Sequence, residues 1–167
     1  MDRIEDGRRT EEVRDFDVFF DEEYGRLLRL MFAMTGDRAE AEEVAQEAMT
    51  RAFERWDRVG AMKSPAGYVY RTAVNLDRSR LRRLKLRASR PREVRAGDVE
   101  PEVVGELVGA LASLPRGQRE AVLLVEWLGL DTAEAGRILG ISASSVRSRV
   151  HRAKSALQAE AGDDEDA

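Results

Sequence analysis

Phe16, Phe20, Tyr24, Leu27, Leu28 and Met31 recur at intervals of three and four, the pattern of a helix with one buried face, and predict a first helix over 15–34. Thr35-Gly36 ends it. Asp37 is placed to cap the next helix, with Glu40 three residues on in the capping-box position. Val44, Ala45, Ala48, Met49, Ala52, Phe53 and Trp56 form the apolar face of that helix, which is expected to run to about residue 57 with Phe53 in the core. Asp57 to Lys63 reads as a loop. Ser64-Pro65 gives a strong helix start, a hydroxyl cap followed by a proline in the first turn. Tyr68, Val69, Ala73, Val74, Leu76 and Leu81 carry the third helix into an arginine-rich stretch. Residues 15–86 are thus expected to make one compact helical domain, preceded by a disordered stretch over 1–14.

The periodicity fails over 87–100, RASRPREVRAGDVE, which contains Pro91 and Gly97 and reads as a flexible basic linker. A second helical domain is expected over 101–158, followed by an acidic tail over 159–167. Val103, Val104, Leu107, Val108 and Leu111 predict a short helix, and Ala121, Val122, Leu124, Val125 and Leu128 another from Pro115 to Leu128, stopped by Gly129. Asp131 and Glu134 then fit a capping box for a helix ending at Leu139. Gly140 supplies a left-handed turn residue, and Ser142 caps a last helix to about 157. A short helix, a tight Gly-Ile-Ser turn and a longer helix match the helix-turn-helix plan. The fold class expected is all-α, with two small helical domains.

On the last helix Val146, Val150, Ala153 and Leu157 share one face. Ser144, Ser148, His151, Arg152 and Ser155 lie opposite, with Arg147 and Lys154 flanking on one side and Ser145 and Arg149 on the other. Serines permit close approach to a major groove, arginine can bond guanine O6 and N7 together, and flanking cations suit phosphates. An ordinary helical hairpin with a polar outer face is the bland alternative.

Net charge conceals a sharper pattern. The chain carries 28 Lys+Arg and 32 Asp+Glu, a net −4, yet residues 1–56 hold 9 basic and 16 acidic side chains while residues 71–95 hold 10 basic and 2 acidic. A polyanion would be drawn to the middle of the chain and repelled by both ends. There is no cysteine and a single histidine, which excludes disulfide scaffolds, thiol catalysis and Cys-based zinc sites. No phosphate loop, metal-ligand spacing or paired-carboxylate motif is evident. The expectation is a non-enzymatic protein with no catalytic residue, no metal, no cofactor and no small-molecule substrate. The apolar runs are too short to span a membrane and the N-terminus lacks a signal-peptide core, so a cytoplasmic location is expected.

Three segments, in this order, resemble the extracytoplasmic-function (ECF) branch of the sigma-70 family of bacterial RNA polymerase sigma factors, with an actinobacterial cast. TGDRAEAEEVAQEAMTRAFERW (35–56) is similar to region 2.2, SPAGYVYRTAVNLDRSRLRR (64–83) to regions 2.3 and 2.4, and residues 114–157 to region 4. The resemblance implies that 15–86 is region 2 and 101–158 is region 4. It implies docking on the β′ clamp helices of core RNA polymerase through Glu43, Gln46, Glu47, Arg51 and Trp56, and a contact with the β flap. It implies reading of the −10 promoter element by Tyr70, Arg71, Asn75, Arg78, Ser79 and Arg82, with Arg83 beside them and Asp57–Lys63 as a specificity loop. It implies reading of the −35 element by Arg147, Ser148, His151 and Arg152, beside which helical geometry places Ser144 and Lys154. Promoter DNA and core polymerase are the partners implied, and an anti-sigma factor is a third that most members have.

The chain departs from the family at Tyr68, where Trp is usual, at Val44-Ala45 and at Ala135-Gly136. Glycine inside a helix costs about 1 kcal/mol relative to alanine, so the first helix of the helix-turn-helix is expected to be soft unless a partner holds it. Two other readings compete: a stand-alone helix-turn-helix regulator, for which the 35–56 segment has no use, and an adaptor without DNA function.

Overall fold

The computed structural model describes residues 15–87 and 102–165, with side chains over 15–86 and 108–162; the disordered stretch expected over 1–14, the linker over 88–100 and the end of the acidic tail at 166–167 lie outside the described residues. Every described element is helical. The order is α1 (Phe16–Thr35), α2 (Arg38–Phe53), α3 (Trp56–Val59), α4 (Pro65–Arg87), α5 (Glu102–Ser113), α6 (Arg116–Val122) with a π-helical turn (Leu123–Trp127), α7 (Thr132–Leu139) and α8 (Ala143–Glu165).

The helix starts are built from side chains that accept the first orphan amides. Asp15 accepts from the Asp17 amide at 2.9 Å, Asp37 from Glu40 at 3.0 Å, Ser64 from Gly67 at 3.1 Å, Asp131 from Glu134 at 2.7 Å and Ser142 from Ser145 at 3.1 Å. Gly36 and Gly140 end α1 and α7 at φ of 70° and 67°, backbone that only glycine adopts without strain.

Region 15–87 packs α2 and α4 against α1 around Leu27, Leu30, Met31, Met34, Ala45, Ala48, Val69 and Val74, all buried. Helix α2 ends at Phe53, earlier than its apolar spacing implied. Arg55 leaves the helical region at φ −122° and ψ 23°, and the chain re-enters for one turn in α3, which sinks Val59 into the core. The expected loop 57–63 is therefore partly helical. Phe53 is not in the core: it is 61% exposed, because its place on the outer side of the last turn of α2 leaves one face covered by Phe16, with ring centroids 5.0 Å apart.

The second unit packs α6 and α7 against α8 through Leu124, Ala135, Leu139, Val146 and Ala153. The π-helical turn interrupts the expected continuous 115–128 helix. Its extra residue keeps Leu123 and Leu124 buried while it turns Trp127 partly outward, and Leu128 donates back to the Leu123 carbonyl at 3.1 Å. Helix α8 continues to Glu165, well past the apolar stripe that set the expected end. The two units share one contiguous apolar cluster, with α5 and α6 lying on α1.

Candidate nucleic-acid interface

The turn between α7 and α8 aims the outward face of α8. Gly140 and Ile141 both donate their amides to the Gly136 carbonyl, the second at 3.0 Å. A Cβ at Gly136 would stand 2.6 Å from the Ile141 carbonyl oxygen. Glycine here is thus a requirement of close approach, and the softness expected from helix propensity misses this packing role. Across the turn, Val146 and Ala153 are fully buried, while Ser144, Arg147, Ser148, His151, Arg152 and Lys154 are exposed. Arg147 donates to the Thr132 hydroxyl at 3.3 Å, Lys154 pairs with Glu126 at 2.7 Å, and Ser144 shares a hydrogen bond with Ser142 at 3.0 Å. Arg149 lies on the α6 backbone, where a Cβ at Gly117 would meet its guanidinium at 2.8 Å. Ser148, His151 and Arg152 form the open centre of this face.

The residues of α4 fare differently. Tyr70 is buried and donates to Glu23 at 2.9 Å; burial first, and then this bond to Glu23, pushes its phenol pKa up. Arg71 pairs with Glu134 of α7 at 3.1 Å. Arg78 donates to Glu120 of α6 and to the Leu139 carbonyl, both at 2.8 Å. Asn75 and Arg82 are exposed; Arg82 donates to the half-buried Ser79 at 3.2 Å. Arg83 is also exposed and lies on another side of the helix, facing α2.

Helix α2 presents Glu43, Gln46, Glu47 and Arg51 as an exposed ridge. Arg80 of α4 donates to Glu43 at 2.8 Å, and Arg51 pairs with Glu47 at 2.7 Å. Ridge and helix α4 enclose a groove of about 650 Å³ lined also by Leu76, Arg83 and Leu84. Trp56 stands apart from the ridge. Its half-buried ring packs on Phe16 and Phe19, with centroids 5.1 and 4.9 Å away, and a Cβ at Gly60 would collide with it at 2.9 Å. Phe53, read as core, is instead exposed on the last turn of the ridge helix. The signal that could have placed it there is its seven-residue spacing from Gln46.

Two residues carry weight that sequence reasoning missed. Arg119 is buried and donates to the carbonyls of Leu111 at 2.8 Å, Ala112 at 3.2 Å and Leu114 at 3.1 Å, closing the end of α5, and to Met34 of α1 at 3.3 Å. Asp77 is buried and accepts from Arg116 at 2.5 Å; burial raises its pKa more than Arg116 lowers it.

Two helical modules, one ending in an arginine-rich helix and the other in a helix-turn-helix, define a sigma-70-type architecture. Residues 19–87 match the family model of sigma-70 region 2, and residues 105–157 that of sigma-70 region 4. The chain belongs to the ECF RNA polymerase sigma factors. It is 31% identical over 144 residues to the ECF RNA polymerase sigma factor SigC of Mycobacterium tuberculosis, covering 80% of this chain and 76% of that one. It is 27% identical over 154 residues to the RNA polymerase sigma-E factor of Streptomyces avermitilis, covering 89% and 86%. The fold is similar to that of sigma factor RpoE, solved with the anti-sigma factor NepR from Bartonella quintana, at a TM-score of 0.69 and 21% identity over 86% of this chain and 94% of that one. Among the described residues no helix is long and apolar enough to cross a membrane.

Proposed function

We propose that this chain is a dissociable specificity subunit of RNA polymerase, without catalysis of its own, acting in the cytoplasm. Helix α8 reads the −35 element in a major groove through Ser148, His151 and Arg152, with Ser144, Arg147 and Lys154 at its flanks. The observation that carries this reading is the exposed small-and-cationic face of α8, held by a helix-turn-helix whose inner face buries Val146 and Ala153 fully and Val150 and Leu157 in part. Helix α4 binds the melted −10 strand, with Arg71, Arg78 and Arg82 toward phosphates and Asn75 and Ser79 toward base edges. Tyr70 supports α4 from within, since its hydroxyl is committed to Glu23.

The α2/α4 groove is the docking surface for the polymerase clamp helices. Its charged rim, the apolar Leu76 and Leu84 and the nearby exposed Phe53 have the make-up of a protein interface, a polar border around apolar contacts. A stand-alone regulator has no need of such a groove. Trp56 contributes by holding α3 rather than by touching the polymerase. A protein antagonist of the anti-sigma kind is a further partner, consistent with the complex in which the similar RpoE was solved.

Co-elution with purified core polymerase on gel filtration tests the docking assignment. The wild type should co-elute, and Glu47→Lys with Arg51→Glu should elute apart while remaining folded. Co-elution of both alike would remove the groove from the interface.

A further inference from the structure

A cavity of about 220 Å³ lies between the two units, apart from the α2/α4 groove and from the outward face of α8. One wall is apolar and comes from the second unit, through Trp127, Leu128 and Leu130. The facing wall is polar and comes from α1 and the start of α4, through Arg26, Ser64 and Arg71. The apolar wall is held in place by its backbone. The π-helical turn ends at Trp127, and its extra residue shifts the side-chain register by one position, about 100° around the helix. Gly129 then takes φ 66°, and the Leu130 amide donates to the Leu124 carbonyl at 3.1 Å, which fixes the run from Trp127 to Leu130. Trp127 is left 40% exposed at the cavity. Among the described residues no second aromatic ring packs on it.

The polar wall has donors to spare. Arg26 is exposed, and its pair with Glu23 is loose at 3.7 Å. That carboxylate is committed elsewhere, since it accepts from the Tyr70 hydroxyl at 2.9 Å. The Ser64 oxygen accepts from the Gly67 amide at 3.1 Å, which leaves the hydroxyl proton to donate. Arg71 bonds Glu134 at 3.1 Å yet keeps an exposed guanidinium with further N–H groups. Gly67 keeps the space between these donors open: a Cβ there would stand 2.8 Å from the Ser64 oxygen and 3.5 Å from the Arg71 guanidinium. An aromatic face opposite a few convergent polar groups, in a cavity between domains, is the make-up of a small-molecule site. The cavity is smaller than those that take drug-sized ligands or dinucleotides, which restricts the occupant to one or two rings.

We propose that this cavity binds a small flat aromatic acid, its ring system against Trp127, Leu128 and Leu130 and its carboxylate toward Arg26 and Arg71, with the Ser64 hydroxyl as a further donor. A ligand so placed touches both units at once and takes up Arg71, one of the residues assigned to the −10 strand, so it acts as an effector whose influence rises with its concentration. That consequence rests on the functional reading above; the site itself does not.

The test uses the full chain without polymerase. The probe is 2-naphthoate, and neutral 2-naphthylmethanol, which has the same rings and no charge, is its control. Isothermal titration should give one-to-one binding of the acid with a Kd below about 1 mM, and binding of the alcohol about five-fold weaker or less, the difference between a charge-assisted and a neutral hydrogen bond. Trp127→Ala should weaken the acid about ten-fold, and Trp127→Phe should restore it to within about three-fold, because the ring face and not the indole N–H carries the contact.

Arg26→Gln, at an exposed position on the other unit, should remove the preference for the acid and leave the alcohol's Kd unchanged within about two-fold, and it decides the matter if Trp127→Ala does not fold. Absence of saturable binding of the acid below about 1 mM, equal affinity of the wild type for acid and alcohol, or binding that Trp127→Ala and Arg26→Gln both leave unchanged overturns the inference. The titration needs neither core polymerase nor promoter. A chain that binds 2-naphthoate as described but not core polymerase would therefore sink the functional reading and leave the site standing.

Discussion

Replacing Gly136 with alanine sets two effects of opposite sign against each other. Helix propensity favours alanine in a helix interior by about 1 kcal/mol. The new Cβ, however, would stand 2.6 Å from the Ile141 carbonyl oxygen and 3.5 Å from the backbone of Ser142 and Ala143. The closest of these is main chain at the helix-turn-helix turn, with no flexible end to swing away. Retreat of that carbonyl also loosens the Ile141-to-Gly136 bond, now 3.0 Å. Overpacking of this kind costs about 1–3 kcal/mol and a weakened hydrogen bond up to about 1 more. The expected net for Gly136→Ala is a loss of about 1–2 kcal/mol, or a fall in Tm of roughly 3–6 °C. The same shift re-aims α8, so the assay pairs thermal unfolding by circular dichroism with binding of duplex −35 DNA by the polymerase complex. A raised Tm with unchanged duplex binding would refute the close-approach argument and leave propensity as the governing term.

Further outcomes follow from named contacts. Arg119→Met should lower stability by about 3 kcal/mol, since charge-assisted bonds of this kind are each worth up to that much and buried carbonyls lose their donor; a urea midpoint giving a loss under about 1 kcal/mol would contradict it. Asp77 has a raised pKa in the fold, so its contribution to stability is full below its ordinary value of 3.8 and is lost as pH rises through the raised one. The Tm of Asp77→Asn relative to wild type should therefore climb from pH 4 toward neutrality, and a difference that shrinks would reverse the sign. Phe53→Ser should weaken co-elution with core polymerase and leave Tm within about 2 °C, as suits a mostly exposed side chain; a large fall in Tm would return Phe53 to the core. Arg152→Ala with Ser148→Ala should relax sequence choice at −35 and spare choice at −10, read from transcripts of a randomised promoter set.

Local signals in the sequence translated well into structure where one side chain meets its own backbone. Asp37, Ser64, Asp131 and Ser142 were each legible as caps because capping needs only a short polar side chain two or three residues from an amide. The inner face of α8 was legible for a related reason: Val146 and Ala153 repeat with the helix itself. Phe53 failed because periodicity reports that a face is apolar, and the break at Arg55 decides where that face ends. The packing role of Gly136 was not legible, because propensity describes an isolated helix and the neighbour that forbids a Cβ there comes from the following turn. The pairing of Asp77, Arg78 and Arg71 with Arg116, Glu120 and Glu134 spans 39 to 63 residues of chain, a separation at which charge pattern names no partner. Of the proposed site, the exposed face of α8 was legible as a set of side chains, while the α4 residues were legible singly but not as a surface that the second unit partly covers.

The most direct test of the central claim is run-off transcription with purified core polymerase, this chain and a pool of genomic promoters. The account predicts core-dependent transcripts from a subset of templates that share one −35 and one −10 sequence. Transcripts that do not depend on the chain, or a chain that binds core yet selects no promoter, would contradict it.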